Sequence, residues 1–301
     1  MGRWLFVTVY CRAPSPDEFP RLTQLTRIGS SPSLAVEWAG KGPLVVCLHG
    51  IGGNRRAWSA QIPALAGDFT VAAWDARGYL DSDDYNGPLV FSDFAADLER
   101  VLDAFSAQCA HIIGQSMGGR IALNFYERCP GRVASLVLVD TSAGSPVQAS
   151  PDRIEDFLRT RREPLLAGRT PADLAPELAR SLVGPHCDPA VLQLAIELLS
   201  QLRTESYLKT LETVTRFNAF PRFEEVTVPA LVVVGEHDRI ATPEYAAEMA
   251  HRLPQASLHL LRDAGHLSNM EQPQKFNTLV LDFLRPIAAR ATTPRAPDRA
   301  A

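Results

Sequence analysis

The stretch that decides the fold is HIIGQSMGGR, residues 111–120. Its apolar start and the helical pattern after it place a Gly-x-Ser-x-Gly motif between a predicted strand and a predicted helix. A turn that sharp brings backbone segments so close together that a Cβ at Gly114 or Gly118 would clash. The same turn puts Ser116 and the Met117 amide at a helix N-terminus, where developing negative charge is favoured. The stretch therefore predicts a nucleophilic serine on a strand–turn–helix corner.

This stretch belongs to a series of short apolar runs, each of which is followed by turn residues. Continuous apolar runs of this length are typical of strands that are buried on both faces of a parallel sheet. Helical patterns at 91–105 and 118–128 lie between such runs and indicate βαβ crossovers. We therefore predict an α/β fold with a doubly wound, mostly parallel sheet. The runs lie at residues 44–48, 70–74, 111–114, 133–139 and 230–234.

The alternation of runs and helices stops within 145–220, where apolar residues recur at helical spacing and prolines divide the segment into four predicted helices. We interpret this segment as an inserted helical cap on a core formed by 26–144 and 221–288. Residues 1–25 are predicted to be an irregular N-terminal extension, and 289–301 a disordered tail. We expect the cap to set the choice of substrate without supplying a catalytic side chain.

Composition limits the class of protein and of partner. Of the 301 residues, 46% are hydrophobic and 21% are charged, which is typical of a globular chain that can bury a sizeable core. The net charge is −4 and no dense basic run occurs, which argues against nucleic acid as a partner. The five cysteines are scattered and lack CxxC spacing, so we expect no metal site and a reducing, cytoplasmic environment. No run approaches the roughly 20 apolar residues that span a bilayer, so we expect no membrane partner.

A serine hydroxyl needs a base and a group that orients the base. Among the histidines, His266 follows a short apolar run and precedes the last predicted helix, which is where sheets of this kind hold their chemistry. Asp238 also follows a strand-like run, and the chain order Ser116, Asp238, His266 is the one expected with a serine on such a corner. Asp140 ends an earlier run and stays open as the alternative acid. We predict Ser116 as nucleophile, His266 as base and Asp238 as the orienting carboxylate.

Attack on a carbonyl creates an oxyanion, which needs two hydrogen-bond donors. One predicted donor is the Met117 amide, and the other is the Ile51 amide in the glycine-rich loop that begins at His49. The side chain of His49 is expected to hold this loop. Possible contacts to substrate come from His49, Trp58 and Arg120, which lie near the predicted site in sequence. This chemistry requires neither a metal ion nor an organic cofactor.

Four separated blocks of the chain resemble the α/β-hydrolase superfamily. Within this superfamily, the block DARG at 75–78 and the segment 265–273 resemble the 3-oxoadipate enol-lactonases and the esterases related to them. Hydrolases that cleave carbon–carbon bonds in meta-cleavage products are also similar, but they commonly carry an aromatic residue after the catalytic histidine, where this chain has Leu267. The blocks are HGIGG at 49–53, DARG at 75–78, GQSMG at 114–118, and GEHD at 235–238 with GH at 265–266.

The resemblance implies hydrolysis of a small-molecule carboxylic ester or lactone through an acyl-enzyme on Ser116. Hydrolysis of a carbon–carbon bond in a diketone acid, with the same three side chains, is the enzymatic alternative. A non-catalytic receptor for a small molecule is the alternative from another class, because some relatives of this fold bind ligands without turning them over. The intact Ser116, Asp238 and His266 favour an enzyme.

Overall fold

The computed structural model describes residues 23–142 and 150–292. Predictions for residues 1–22, 145–149 and 293–301 therefore lie outside the described chain. The described strands are β1 (Gln24–Ile28), β2 (Leu34–Ala39), β3 (Leu44–Leu48), β4 (Thr70–Trp74), β5 (Ala110–Gln115), β6 (Val133–Val139), β7 (Ala230–Gly235) and β8 (Ala256–Leu261). The described α-helices are α1 (Gln61–Leu65), α2 (Ser92–Ala104), α3 (Met117–Arg128), α4 (Pro151–Leu166), α5 (Pro171–Leu182), α6 (Pro189–Ser200), α7 (Thr204–Arg216), α8 (Pro243–Arg252), α9 (Ser268–Glu271) and α10 (Pro273–Thr292).

All eight described strands form one sheet in the order β1-β2-β4-β3-β5-β6-β7-β8. The strands from β4 to β8 in this order are parallel, whereas β1 and β2 pair antiparallel at one edge. Every residue of β3, β5 and β7 is buried, as continuous apolar runs predict for central strands. The predicted α/β fold with a mostly parallel sheet is confirmed.

Helices cover both faces of the sheet, as in a doubly wound fold. One core cluster joins the sheet to apolar residues of α2, α3 and α8, including Phe94, Ile121 and Met249. The other joins the opposite face to α1 and α10, through residues such as Ile62 and Phe276. Burial on both faces explains why the central strands show no alternation of apolar and polar residues.

The described part of the predicted cap contains four helices, α4 to α7, which lie between β6 and β7 in the chain. They pack as two pairs with separate apolar clusters. Leu158 of α4 is buried with Leu211 of α7, and Ala179 of α5 is buried with Ala195 of α6. Among the described helices, none combines the length and the hydropathy that a bilayer crossing requires.

Two element bounds differ from those expected from the sequence. Strand β1 begins at Gln24, inside the segment 1–25 that was predicted to be irregular, because its backbone pairs with β2 although its side chains are mostly exposed. Helix α10 continues to Thr292, so residues 289–292 are helical although 289–301 were predicted to be a disordered tail. Side chains such as Val280 and Leu284 pack α10 against the sheet, and this packing supports the last turns of the helix.

The connection between α5 and α6 touches the loop that carries His266. The backbone N–H of His266 donates to the carbonyl of Leu182, with 2.6 Å between nitrogen and oxygen. A Cβ on Gly265 would lie 2.5 Å from the same carbonyl oxygen, so glycine permits this close approach. The cap is therefore fixed to the core at the residue that was predicted to be the base.

Glu271 strengthens this junction by accepting hydrogen bonds from three backbone amides. One carboxylate oxygen accepts from Gly184, in the connection between α5 and α6, at 2.7 Å. The other accepts from Gly265 at 2.9 Å and from Leu267 at 3.3 Å. Hydrogen bonds to a charged, partly buried carboxylate are stronger than those between neutral groups. Glu271 thus joins the cap to both sides of His266.

We expect Glu271→Gln to lower the free energy of unfolding by about 1–3 kcal/mol, because the amide replaces one acceptor oxygen by a donor that faces a backbone N–H. Urea unfolding followed by circular dichroism measures this change. Glu177→Gln, an exposed substitution on α5, is the matched control and should leave the transition unchanged. Equal stability of the two variants would contradict a role for Glu271 in joining cap and core.

Candidate active site

The turn between β5 and α3 holds Ser116 in a strained backbone conformation. Its φ of 52° and ψ of −113° are rare for a residue with a side chain, and the surrounding contacts hold it there. Its N–H donates to the carbonyl of Val139 at 2.9 Å. A Cβ on Gly118 would lie 2.1 Å from the carbonyl oxygen of Leu48, and one on Gly114 would lie 2.3 Å from that of Gly118. Glycine is required at both positions because the backbones of strand, turn and helix meet there.

The structure brings Ser116, His266 and Asp238 together at the carboxyl ends of β5, β8 and β7. The hydroxyl of Ser116 lies 3.0 Å from Nε2 of His266. Nδ1 of His266 lies 2.8 Å from Oδ2 of Asp238. The other oxygen of Asp238 accepts from the amides of Ile240 at 2.7 Å and Ala241 at 3.0 Å. These contacts orient the carboxylate and leave one oxygen for the histidine.

His266 is buried together with its carboxylate partner, and two opposing effects act on its ring. Burial is the largest single effect and by itself would lower the pKa, but the charge and hydrogen bond of Asp238, together with the charges of Asp140 and Glu271, outweigh it. The pKa of His266 is therefore raised above its ordinary value of 6.5. The hydrogen bond to Asp238 also fixes the tautomer, with the proton on Nδ1. Nε2 is then free to accept the proton of Ser116.

Asp140, the alternative acid, lies next to this group but makes different contacts. Its two oxygens accept hydrogen bonds from the amides of Gly235 and Ser268, each at 2.9 Å. Burial, and then the negative charge of Asp238, raise the pKa of the Asp140 carboxyl. No hydrogen bond joins Asp140 to the imidazole within the described chain. Asp140 instead ties the end of β7 to Ser268, two residues after His266.

The loop after β3 is held as the sequence predicts, through the side chain of His49. Nε2 of His49 accepts from the amide of Ala76 at 3.1 Å, and Nδ1 donates to the carbonyl of Gly50 at 2.8 Å. Burial lowers the pKa of His49 to about 4, so the ring is neutral near pH 7. The hydroxyl of Tyr79 donates to the carbonyl of Ile51 at 2.9 Å and fixes the next residue.

The amides of Ile51 and Met117, which were predicted as oxyanion donors, belong to residues that line the same cavity as Ser116. Neither N–H donates to another protein group within the described residues. Because a backbone N–H almost always has a partner in a folded protein, two such donors at the cavity wall indicate a place where a ligand oxygen could bind.

The cavity has a volume of about 390 Å³ and lies between the core loops and the cap helices. Apolar side chains from α6 and α7, including Leu199 and Val214, form much of its wall. The predicted substrate contacts His49, Trp58 and Arg120 all line it. Two further arginines near the predicted site do not, because they are used in ion pairs. Arg55 pairs with Asp75, Glu37 and Asp81, and Arg56 pairs with Glu197.

Two residues at the site were not found from the sequence. Gln115 donates from its side-chain amide to the carbonyl of His266 at 2.8 Å, and its place beside Ser116 was an available signal. Arg161 of α4 lines the cavity, but nothing in the local sequence of the cap distinguishes it from its neighbours. Arg161 thus had no local signal, whereas Gln115, at the end of β5, had one that was not used.

A group that could hold a cation lies outside the cavity wall. Glu236, His237 and Asp263 bring ligand atoms within 4.8 Å of one another at an exposed surface, as acidic groups commonly do without an ion. Within the described residues, no comparable cluster lines the cavity. The side chains around Ser116 fit nucleophilic chemistry that depends on a hydroxyl, an imidazole and a carboxylate.

Comparison with known proteins places this geometry in a family. A model of the alpha/beta hydrolase family matches residues 45–279. A 2-hydroxy-6-oxononadienedioate/2-hydroxy-6-oxononatrienedioate hydrolase from Dechloromonas aromatica is 31% identical over 258 residues, which are 80% of this chain and 86% of that protein.

Solved structures agree with this family. A thermophilic esterase from Thermogutta terrifontis is 27% identical and superposes with a TM-score of 0.79, over 88% of this chain and 99% of the other. The enol-lactonase from Burkholderia xenovorans is 26% identical and superposes with a TM-score of 0.70, over 87% of this chain and 100% of the other. The chain is thus a hydrolase and belongs to the alpha/beta hydrolase family.

Proposed function

We propose that the protein hydrolyses a carboxylic ester or lactone through an acyl-enzyme on Ser116. The observation that carries this proposal is the hydrogen-bonded series from Ser116 through His266 to Asp238 at the wall of an apolar cavity. An apolar cavity with a few convergent polar groups is the usual form of a small-molecule site. The similarity to an esterase and to an enol-lactonase supports the same reaction class.

The first half of the reaction forms the acyl-enzyme. Nε2 of His266 takes the proton of Ser116 as Oγ attacks the carbonyl carbon of the substrate. The negative charge that develops on the carbonyl oxygen is met by the amides of Ile51 and Met117. Asp238 stabilises the imidazolium that forms and holds it in position.

The second half releases the acid. The imidazolium of His266 gives its proton to the leaving alcohol as the bond between carbonyl carbon and alkoxy oxygen breaks. His266 then takes a proton from water as the water oxygen attacks the acyl carbon, and the imidazolium returns this proton to Oγ of Ser116 as the bond between the acyl carbon and Oγ breaks. In a lactone the leaving alcohol stays attached to the acyl group, so the product is one hydroxy acid. No metal ion or organic cofactor takes part in these steps.

A second candidate is hydrolysis of a carbon–carbon bond, which the relative from Dechloromonas aromatica favours. The compound in its name is a hydroxy-oxo dicarboxylate without an ester, so its hydrolysis has to break a carbon–carbon bond. The same three side chains would serve that reaction. A receptor without catalysis is the weaker alternative, because binding alone does not require a serine aligned with a histidine and a carboxylate.

The identity of the acid can be tested with two amide variants. We expect Asp238→Asn to lower kcat/KM for an ester by a factor on the order of 10⁴, because it stabilises the wrong tautomer of His266. Asp140→Asn should cost less than about tenfold, since Asp140 holds loops and makes no hydrogen bond to the imidazole. The reverse order of the two losses would assign the acid to Asp140.

The pH profile gives an independent readout for the same variants. Only the neutral ring of His266 can accept the proton of Ser116, so wild-type kcat/KM should rise with pH, with its midpoint above 6.5 because Asp238 raises the pKa of His266. Removing that charge in Asp238→Asn should move the midpoint to lower pH. If the midpoint of the rise in kcat/KM is the same in Asp238→Asn as in wild type, Asp238 is not the carboxylate that acts on His266.

The reaction class can be tested with a panel of an aryl acetate, a δ-lactone and a 2-hydroxy-6-oxo dienoate. We expect turnover of the ester or the lactone, with Ser116→Ala inactive on both and unable to react with a fluorophosphonate. Thermal unfolding of the variant should match wild type, which separates lost chemistry from lost structure. Turnover of the dienoate alone would establish the second candidate, and no turnover or labelling by the folded wild type would favour the receptor.

A further inference from the structure

The cavity wall contains more positively charged than negatively charged side chains. The arginines in the wall are Arg120, Arg161 and Arg239, whereas the acidic residue in the described wall is Asp140. Both oxygens of Asp140 already accept backbone amides. The cavity therefore presents cations to its contents without a free carboxylate to balance them.

Arg120 is a buried cation without an acidic partner among the described residues. It lies one helical turn after Ser116 and is 8% exposed. One terminal nitrogen donates to the carbonyl of Phe217 at 2.5 Å, and the guanidinium lies 5.1 Å from the ring centroid of Phe220, but its Nε has no acceptor among the described residues. Burial lowers the pKa of Arg120 to about 10, so it remains charged near pH 7. A charge in this setting normally has a partner of opposite sign.

Arg161 presents a second cation from the cap side of the cavity. Its guanidinium lies 3.5 Å from the ring centroid of Phe157, and one of its terminal nitrogens donates to the carbonyl of that residue at 3.3 Å. No carboxylate within the described chain forms an ion pair with it. Burial lowers the pKa of Arg161 as well.

Neighbouring arginines on the same helix differ from Arg161 in this respect. Arg159 is exposed and pairs with Asp156 at 2.9 Å, and Arg162, which is partly buried, lies 4.0 Å from Glu212. Arg159 and Arg162 thus have acidic partners and do not line the cavity, whereas Arg161 lines the cavity and has no acidic partner among the described residues. The missing partner of Arg161 is consistent with an anion supplied by the substrate.

We propose that Arg161 binds a carboxylate of the substrate, while Arg120 adds positive charge on the core side of the cavity. The planar guanidinium can donate two parallel hydrogen bonds to a carboxylate, and such a pair is strong where water is excluded. The preferred substrate is then an ester or lactone that carries a carboxylate in addition to the bond that is cleaved. This inference rests on the proposed ester hydrolysis for its substrate class.

The test compares two aryl esters of the same shape and different charge, the 4-nitrophenyl monoester of glutaric acid and that of glutaramic acid. We expect wild-type kcat/KM to favour the anionic ester by about tenfold or more, which is typical of a charge-assisted hydrogen bond. Arg161→Met keeps the length of the side chain and should reduce this ratio to about one. Arg161→Lys should retain part of the preference for the anionic ester, because lysine keeps the positive charge but cannot donate two parallel hydrogen bonds.

Arg159→Met is the matched control on the same helix and should keep the wild-type ratio. A wild-type ratio near one, or an unchanged ratio in a folded Arg161→Met, would overturn the inference while leaving ester hydrolysis in place. If wild type cleaves neither ester, calorimetric titration with glutarate and glutaramide tests the anion site alone, and the substrate panel above decides the reaction class separately. Tighter binding of glutarate that Arg161→Met removes supports the site, and equal binding of the two compounds overturns it.

Discussion

The close contact between the turn at Ser116 and the end of β3 is the constraint on which the site depends. The backbone of Gly118 approaches the carbonyl of Leu48 so closely that a Cβ would lie 2.1 Å from its oxygen. This contact aligns the start of α3 with the loop after β3, and so brings the amides of Met117 and Ile51 to one cavity. The positive φ of Ser116 is the conformational cost of that alignment, and buried packing around the turn maintains it.

The two carboxylates near His266 have separate tasks that follow from what each oxygen contacts. Asp238 keeps one oxygen for the imidazole, whereas both oxygens of Asp140 accept backbone amides. The cap also helps to position His266, although it supplies none of the side chains of Ser116, His266 and Asp238. The carbonyl of Leu182 and the amide of Gly184 hold the loop of His266 in place. Residues of the cap thus shape the cavity and also support the position of the proposed base.

The parts of the fold that were predictable from the sequence are those with short local patterns. Central strands appear as apolar runs, and Ser116, Asp238 and His266, whose side chains are in contact in the structure, each follow such a run. Strand β1 was missed because four of its five residues are exposed and it has no apolar run. Arg161 and Glu271 were missed for a different reason. Their importance comes from contacts between cap and core that are distant in the chain, and no local spacing reports such contacts.

Acylation of Ser116 during turnover is tested most directly by trapping the acyl-enzyme. A 4-nitrophenyl ester with a bulky acyl group that leaves slowly should release a rapid burst of about one nitrophenol per enzyme, followed by slow turnover. Acid quenching during the slow phase and peptide mass spectrometry should then find the acyl group on the peptide that contains Ser116. An acyl group on any other residue, or turnover of the ester without a covalent adduct, would contradict the account.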